Sequence, residues 1–238
     1  MIFLCACIVR GGIEAIGRAA TLFLPLFIVP LLILIVLLYG DFDFGNLFPV
    51  LGNGILPPFK GAIVPGAWFT EFFLITFLLP YVSDKERANR HAMMAVTIVM
   101  VMLLMVDLVV LFVLGPTIDS RIYPLMTVAR YISIANFFEH LESTVMAIWV
   151  IGVFVKTSVF YYAAVLGTAQ WFNLSDYRPI VWPTGIFITI FSLWSLPNSV
   201  EVERHNVGTF PPFALCVQVL IPLLLLGIAL VKKKAKRR

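Results

Sequence analysis

The sequence predicts an all-α membrane protein, a helix bundle that crosses the lipid bilayer several times. Three observations lead to this prediction. Hydrophobic residues make up 61% of the 238 residues, and charged residues only 13%. The mean hydropathy is +1.00, far above that of a soluble domain. Apolar stretches long enough to cover about 30 Å of hydrocarbon recur along the chain, separated by short charged segments.

Six stretches reach the length of about 20 apolar residues that a spanning helix needs. These predicted spans are 19–39, 60–82, 92–114, 144–166, 179–196 and 212–231. Residues 1–9 are apolar but too short to span, so we expect them to be the end of a helix whose first part is missing. Apolar residues at helical spacing predict an amphipathic surface helix over 124–138, and 197–211 is expected to connect the last two spans.

The stretch 57–82 is the most informative, because an ordinary membrane anchor needs none of the polar or helix-breaking residues in its interior. Pro65 has no amide hydrogen, and Gly61 and Gly66 flank it with backbone that unwinds easily. This pattern predicts two half-helices joined by irregular residues near Pro65, and such backbone is tolerated in a membrane where it lines a cavity. Glu71 lies near the middle of the span, where an ionised carboxylate needs a partner or water. The alternative is that Pro65 kinks a packing helix and Glu71 hydrogen-bonds to a neighbour.

A second group of candidate residues lies in the span 144–166. Lys156 is in its interior, roughly 15 Å from either end, which favours an inward-facing position. Gly152 and Trp149 precede it by about one and two turns on much the same face. Asp107 is a further charged residue inside a predicted span.

Several function classes are disfavoured. Six of the 17 Lys and Arg residues lie in the last seven positions, which is typical of a cytoplasmic helix flank and not of a nucleic-acid surface. The three cysteines form no CxxC pair, and the histidines are scattered, so no metal site or other cofactor is predicted. No GxSxG, HExxH or P-loop motif is present, so we expect no enzyme. The distribution of Lys and Arg predicts six complete spans and one partial span, with the C-terminus inside.

Four stretches resemble a known family, the B subunits of spore germinant receptors, which are germination permeases of the amino acid, polyamine and organocation transporter superfamily. They are RGGIEAIGR, NLFPVLGNGILPPFKGA with Glu71 downstream, LPYVSDKE, and YPLMTVARYISIANFFEHLESTVMAIWVIGVFVKTS. They are spread over residues 10–158, most of the length of the chain, and they come in the order of the family.

The resemblance implies a ten-helix transporter fold built from two inverted repeats, with the first helix of each repeat broken at a ligand site near the bilayer midplane. This chain would run from the end of helix four to helix ten. Residues 1–58 would be the remnant of the first repeat, and 59–238 the second repeat with its basic tail. The implied ligand-binding residues are Gly61, Pro65, Gly66, Glu71, Trp149, Gly152 and Lys156.

The implied function is a sensor of a small nutrient, such as an amino acid, in the inner membrane of the spore, acting with receptor A and C subunits. The chain departs from the family in lacking helices one to three and most of helix four, so it looks N-terminally truncated. Two alternatives stay open: a proton-coupled amino-acid permease without a role in spores, and an inactive fragment or a structural subunit.

Overall fold

The computed structural model describes residues 1–132 and 141–235, and every regular element within them is helical. This confirms the all-α prediction. The α-helices are α1 (Ile2–Gly11), α2 (Ile13–Leu37), α3 (Leu56–Gly61), α4 (Ile63–Phe69), α5 (Ile75–Leu78), α6 (Lys85–Leu114), α7 (Pro124–Ala129), α8 (Glu142–Trp171), α9 (Arg178–Ser195), α10 (Ser199–Arg204), α11 (Phe210–Ala214) and α12 (Ile221–Ala235). Short 3₁₀ and π turns join several of them into longer rods.

Within the described residues, five helical rods are long and apolar enough to cross a membrane, one fewer than predicted. They are Ile13–Asp41, Leu56–Tyr81, Lys85–Ser120, Glu142–Trp171 and Ser199–Lys234. The predicted span 179–196 does form a helix, α9, but Arg178 and two prolines lower its hydropathy below that of the other five. Helix α1 is apolar and short, as expected for residues 1–9.

The last span begins about a dozen residues earlier than the sequence prediction placed it. Asn198 caps α10, because its side-chain oxygen accepts a hydrogen bond from the Glu201 amide at 2.9 Å. The segment 199–211 is therefore helical and does not form the loop that we expected. The helical rod Ser199–Lys234 is not α-helical throughout, since π turns lie at His205–Thr209 and Leu215–Leu220.

The two π turns have a common cause in proline. A proline at position i cannot donate to the carbonyl at i−4, and its ring crowds that carbonyl. Pro222 removes the α-helical partner of the Gln218 carbonyl, inside the second π turn. Pro211 and Pro212 act in the same way on residues 207 and 208, inside the first. The backbone widens at both places.

The chain forms two compact units. The first comprises Met1–Gly52 and Asn89–Gly185, and its centre is α8, which packs on α1, α2 and α7. Its core contains Leu34, Leu38, Val110, Val128 and Val145, all buried. Helix α7 coincides with the start of the predicted amphipathic helix 124–138 and ends at Ala129; residues 133–138 lie outside the described residues.

The second unit comprises Asn53–Ala88 and Ile186–Arg238. Here α4 packs on α11, and the 3₁₀ turn Thr70–Leu74 packs on the π turn Leu215–Leu220. Ala67 and Ala214 are almost fully buried on these packed elements, where small side chains allow two membrane helices to approach closely. The span Leu56–Tyr81 is thus held along one face by the last span.

Candidate ligand-binding site

The span Leu56–Tyr81 changes its geometry earlier than the sequence predicted. Helix α3 ends at Gly61, Ala62 forms a turn, and α4 begins at Ile63. Pro65 therefore lies in the first turn of α4, a position that tolerates a missing amide hydrogen. The Gly66 amide donates to the Ala62 carbonyl at 2.9 Å, so the backbone stays helical past Pro65. The predicted irregular linker at Pro65 is wrong, because the helix changes its geometry at Ala62, before the proline.

A second change of geometry surrounds Glu71. Residues Thr70–Leu74 form a 3₁₀ turn between the α-helical segments α4 and α5. A 3₁₀ stretch inside a longer helix is uncommon and often marks a functional hinge. Glu71 is half-buried in this turn and lies ten residues, roughly 15 Å, before the end of the span at Tyr81. The structure thus places the carboxylate in the interior of a membrane span, as predicted.

The residue before Glu71 makes a polar contact that sequence reasoning missed. The Thr70 hydroxyl oxygen lies 2.7 Å from the Ala67 carbonyl and 2.6 Å from Oε1 of Gln218, on the last span. Gln218 is 8% exposed. The feature of the sequence that could have pointed to this contact is the glutamine itself, which lies in the apolar run LCVQVLIPLLLL, four residues before Pro222. The Thr70 side chain therefore ties the turn that carries Glu71 to the last span.

The other three candidates lie on α8, in the first unit. Trp149 packs against Tyr123, with ring centroids 5.6 Å apart, and lines an apolar cavity of about 340 Å³ between α2, α6 and α8. Gly152 faces α2, since a Cβ at this position would lie 3.3 Å from Cε2 of Phe27. Both observations give these two residues a packing role inside the first unit.

Lys156 is exposed on the surface of α8, one turn beyond Gly152, so the inward-facing position that we expected is not found within the described residues. Its Nζ lies 5.8 Å from the centroid of the Phe160 ring, within the range of a cation–π interaction. An exposed lysine in the interior of a membrane span is costly against lipid, so this face of α8 is expected to meet protein or water. Its role in ligand binding stays a prediction.

The seven candidates thus fall into two groups. Gly61, Pro65, Gly66 and Glu71 share the span Leu56–Tyr81 in the second unit, and the three α8 residues belong to the first. Within the described residues, no three His, Cys, Asp or Glu side chains come together as metal ligands would.

Comparisons with known proteins give one consistent family. The family model described as spore germination protein, a spore permease, matches residues 1–200. Among curated relatives, spore germination protein KB of Bacillus subtilis (strain 168) is 28% identical over 236 residues, which are 97% of this chain and 63% of the relative. Spore germination protein A2 of the same organism is 26% identical over 94% of this chain and 61% of the relative. Spore germination protein YndE, also of Bacillus subtilis (strain 168), is 25% identical over 96% of this chain and 63% of the relative.

The chain spans a little less than two thirds of the length of these curated relatives. No solved structure matches it. The match to the family model covers most of the chain, and the relatives agree with it. From its helices and from this match, the chain is an integral membrane protein that belongs to the spore germination protein family.

Proposed function

We propose that this chain belongs to a nutrient-sensing membrane subunit of a spore germinant receptor and that its ligand is a small molecule with a charged amino group, such as an amino acid. One observation carries the proposal: the span Leu56–Tyr81 holds Glu71, half-buried, on a 3₁₀ turn in the interior of a membrane helix. Membership of the spore germination protein family supports the biological role.

The chemistry of the span suits an ammonium group. A carboxylate in low dielectric binds a cation more strongly than it does in water, and it favours a ligand that brings the opposite charge. Glu71 lies on the 3₁₀ turn Thr70–Leu74, where the helical geometry of this span changes. Acceptors at a discontinuity of a membrane helix are a common means of binding small charged substrates.

We further propose that receptor A and C subunits are its partners and that it lies in the inner membrane of the spore. Lys232, Lys233 and Lys234 form the basic last turn of α12, directly after an apolar helix. Basic residues next to a span favour the cytoplasmic side, where lipid is anionic. We therefore place the C-terminus in the cytoplasm.

Germination of spores with altered Glu71 tests the proposal. The gene is changed at its chromosomal locus to encode Glu71→Gln or Glu71→Ala, and the loss of spore refractility is followed in each of the twenty common amino acids. We expect both variants to lose the response to every amino acid that triggers the unaltered spores. Immunoblots of spore membranes check that the protein level is unchanged.

Glu86→Gln is the matched control, because Glu86 is an exposed residue in the first turn of α6. It is expected to germinate normally. Normal germination of the Glu71→Gln spores at a normal protein level would remove Glu71 from the ligand site.

A further inference from the structure

Gln218 is a buried polar side chain in a membrane span, and its hydrogen bond crosses to another span. Its Oε1 lies 2.6 Å from the Thr70 hydroxyl oxygen. Ser158 provides a contrast, since it is also buried but its hydroxyl donates to the Phe154 carbonyl of its own helix at 2.8 Å. A bond of the Ser158 type satisfies one hydroxyl and fixes nothing else. The Thr70 hydroxyl makes a contact of this type as well, 2.7 Å from the Ala67 carbonyl, but it shares its one hydrogen with Oε1 of Gln218 and so also ties one span to another.

The backbone has opposite distortions on the two sides of this bond. The span Leu56–Tyr81 tightens into a 3₁₀ turn that begins at Thr70, and the last span widens into a π turn over Leu215–Leu220. The widening follows from Pro222, which cannot donate to the Gln218 carbonyl. π turns inside α-helices are frequent at functional sites.

The proline by itself does not explain the polar contact. Pro211 and Pro212 widen the same span at His205–Thr209, and that turn has no buried residue. Only the second π turn, among the two in the described residues, contains a buried amide side chain. An amide at 218 is therefore a separate feature of the sequence, and its side chain meets the residue next to Glu71.

We propose that Gln218 is a positioning residue that holds the turn Thr70–Glu71 in the geometry that binds the ligand's ammonium group. Glu71 directly follows Thr70, so a fixed Thr70 side chain fixes the backbone from which the carboxylate projects. Gln218 acts through Thr70 and sets the affinity for the ligand without touching it. This inference rests on the function proposed above.

The test compares Gln218→Leu and Thr70→Val, which remove the bond from either side, with Thr70→Ser, which keeps the hydroxyl. The probe is the amino acid that triggers the unaltered spores at the lowest concentration in the panel of twenty. For each variant, the half-maximal concentration for germination and the maximal rate are measured separately. Immunoblots of spore membranes give the protein level.

Two matched controls make the same changes, threonine to valine and glutamine to leucine, at residues that do not take part in the Thr70–Gln218 contact. Thr76→Val alters a threonine of the same span whose hydroxyl also bonds to the carbonyl three residues earlier, that of Phe73 at 2.8 Å, but which is exposed. Gln170→Leu alters an exposed glutamine near the end of α8. Both are expected to germinate like the unaltered spores.

We expect Gln218→Leu and Thr70→Val each to raise the half-maximal concentration about tenfold or more. Thr70→Val leaves the buried Gln218 amide without this partner, and Gln218→Leu leaves the Thr70 side chain bonded only to the Ala67 carbonyl of its own helix, so the turn is no longer tied to the last span. The maximal rate at saturating amino acid is expected to stay within about twofold, and Thr70→Ser to restore the normal concentration. The double variant Thr70→Val with Gln218→Leu is expected to shift no further than the larger single shift, because both changes break one bond.

Three outcomes would overturn the inference. In the first, Gln218→Leu raises the half-maximal concentration no more than Gln170→Leu does. In the second, the fold-change of the double variant is the product of the two single fold-changes. In the third, Thr70→Ser raises the half-maximal concentration as much as Thr70→Val does. If Gln218→Leu lowers the protein level, the comparison of Thr70→Val with Thr70→Ser and Thr76→Val decides. If Glu71→Gln spores lose the response while Gln218→Leu spores keep a normal half-maximal concentration, only the positioning role is refuted. A normal Glu71→Gln refutes the proposed function itself.

Discussion

Gly185 on α9 gives the sharpest prediction about packing in the first unit. A Cβ at this position would overlap the hydroxyl oxygen of Tyr161 and lie 3.3 Å from its Cζ and 3.5 Å from Cγ2 of Ile2. Tyr161 is 1% exposed, and its hydroxyl donates to the Val181 carbonyl, so the ring has little room to move. Gly185→Ala therefore forces either the helices apart or the hydroxyl away from its acceptor.

The two costs give the magnitude. Overpacking a close-packed interior costs about 1–3 kcal/mol. Displacing a buried hydroxyl from its acceptor, the alternative outcome, also costs about 1–3 kcal/mol. We expect Gly185→Ala to lower the free energy of unfolding by roughly 1–3 kcal/mol, which for a chain of this size lowers the melting temperature by roughly 2–12 °C.

The assay is thermal unfolding of the purified protein in detergent, followed by tryptophan fluorescence. Gly17→Ala is the matched control, because a Cβ at position 17 in α2 would meet nothing within 4 Å. The same substitution there is expected to leave stability unchanged or to raise it by about 0.5–1 kcal/mol. Tyr161→Phe removes the hydroxyl that the Cβ would overlap, so the double variant Tyr161→Phe with Gly185→Ala is expected to be about as stable as Tyr161→Phe alone. The reasoning would be refuted if Gly185→Ala were as stable as Gly17→Ala. It would also be refuted if the double variant lost the sum of the unfolding free energies lost by the two single variants.

Three further predictions follow from other parts of the structure. Asn198→Ala removes the cap on the Glu201 amide and is expected to lower the free energy of unfolding by about 1 kcal/mol, measured by the same thermal unfolding. A loss below about 0.3 kcal/mol would show that the cap does not stabilise the helix. Gly115→Ala is expected to destabilise by more than 1 kcal/mol, because φ is +51° there and a Cβ would collide with the Asn46 side chain; an unchanged melting temperature would contradict this. If the protein transports amino acids with protons, uptake into proteoliposomes responds to a pH gradient and Lys156→Met abolishes the response. Uptake that ignores both changes counts against transport.

The composition and the charge pattern were enough to predict the fold class, because 61% hydrophobic residues in repeated long runs leave only a membrane bundle. The position of Glu71 inside a span followed from counting residues. The place where the helix changes geometry could not be found in this way, because a proline ends a helix only where a backbone amide hydrogen is needed at its position. Pro65 comes in the first turn after Ala62, where it is not needed.

Two other features were missed for related reasons. The polar segment 197–211 has the composition of a loop, but Asn198 and Glu201 form a local cap that starts a helix there. Gln218 was overlooked because one amide in an apolar run carries no periodic signal, and its meaning depends on a contact 148 residues away. The grouping of candidate residues on two units also depends on long-range packing that periodicity does not encode.

The most direct test of the central claim is equilibrium binding of L- and D-amino acids to the purified protein in detergent, with Glu71→Gln and Glu86→Gln measured beside it. We predict saturable binding of at least one L-amino acid, with weaker binding of its D form, lost in Glu71→Gln and kept in Glu86→Gln. Unchanged binding in Glu71→Gln would contradict the account, and so would the absence of saturable binding to the unaltered protein.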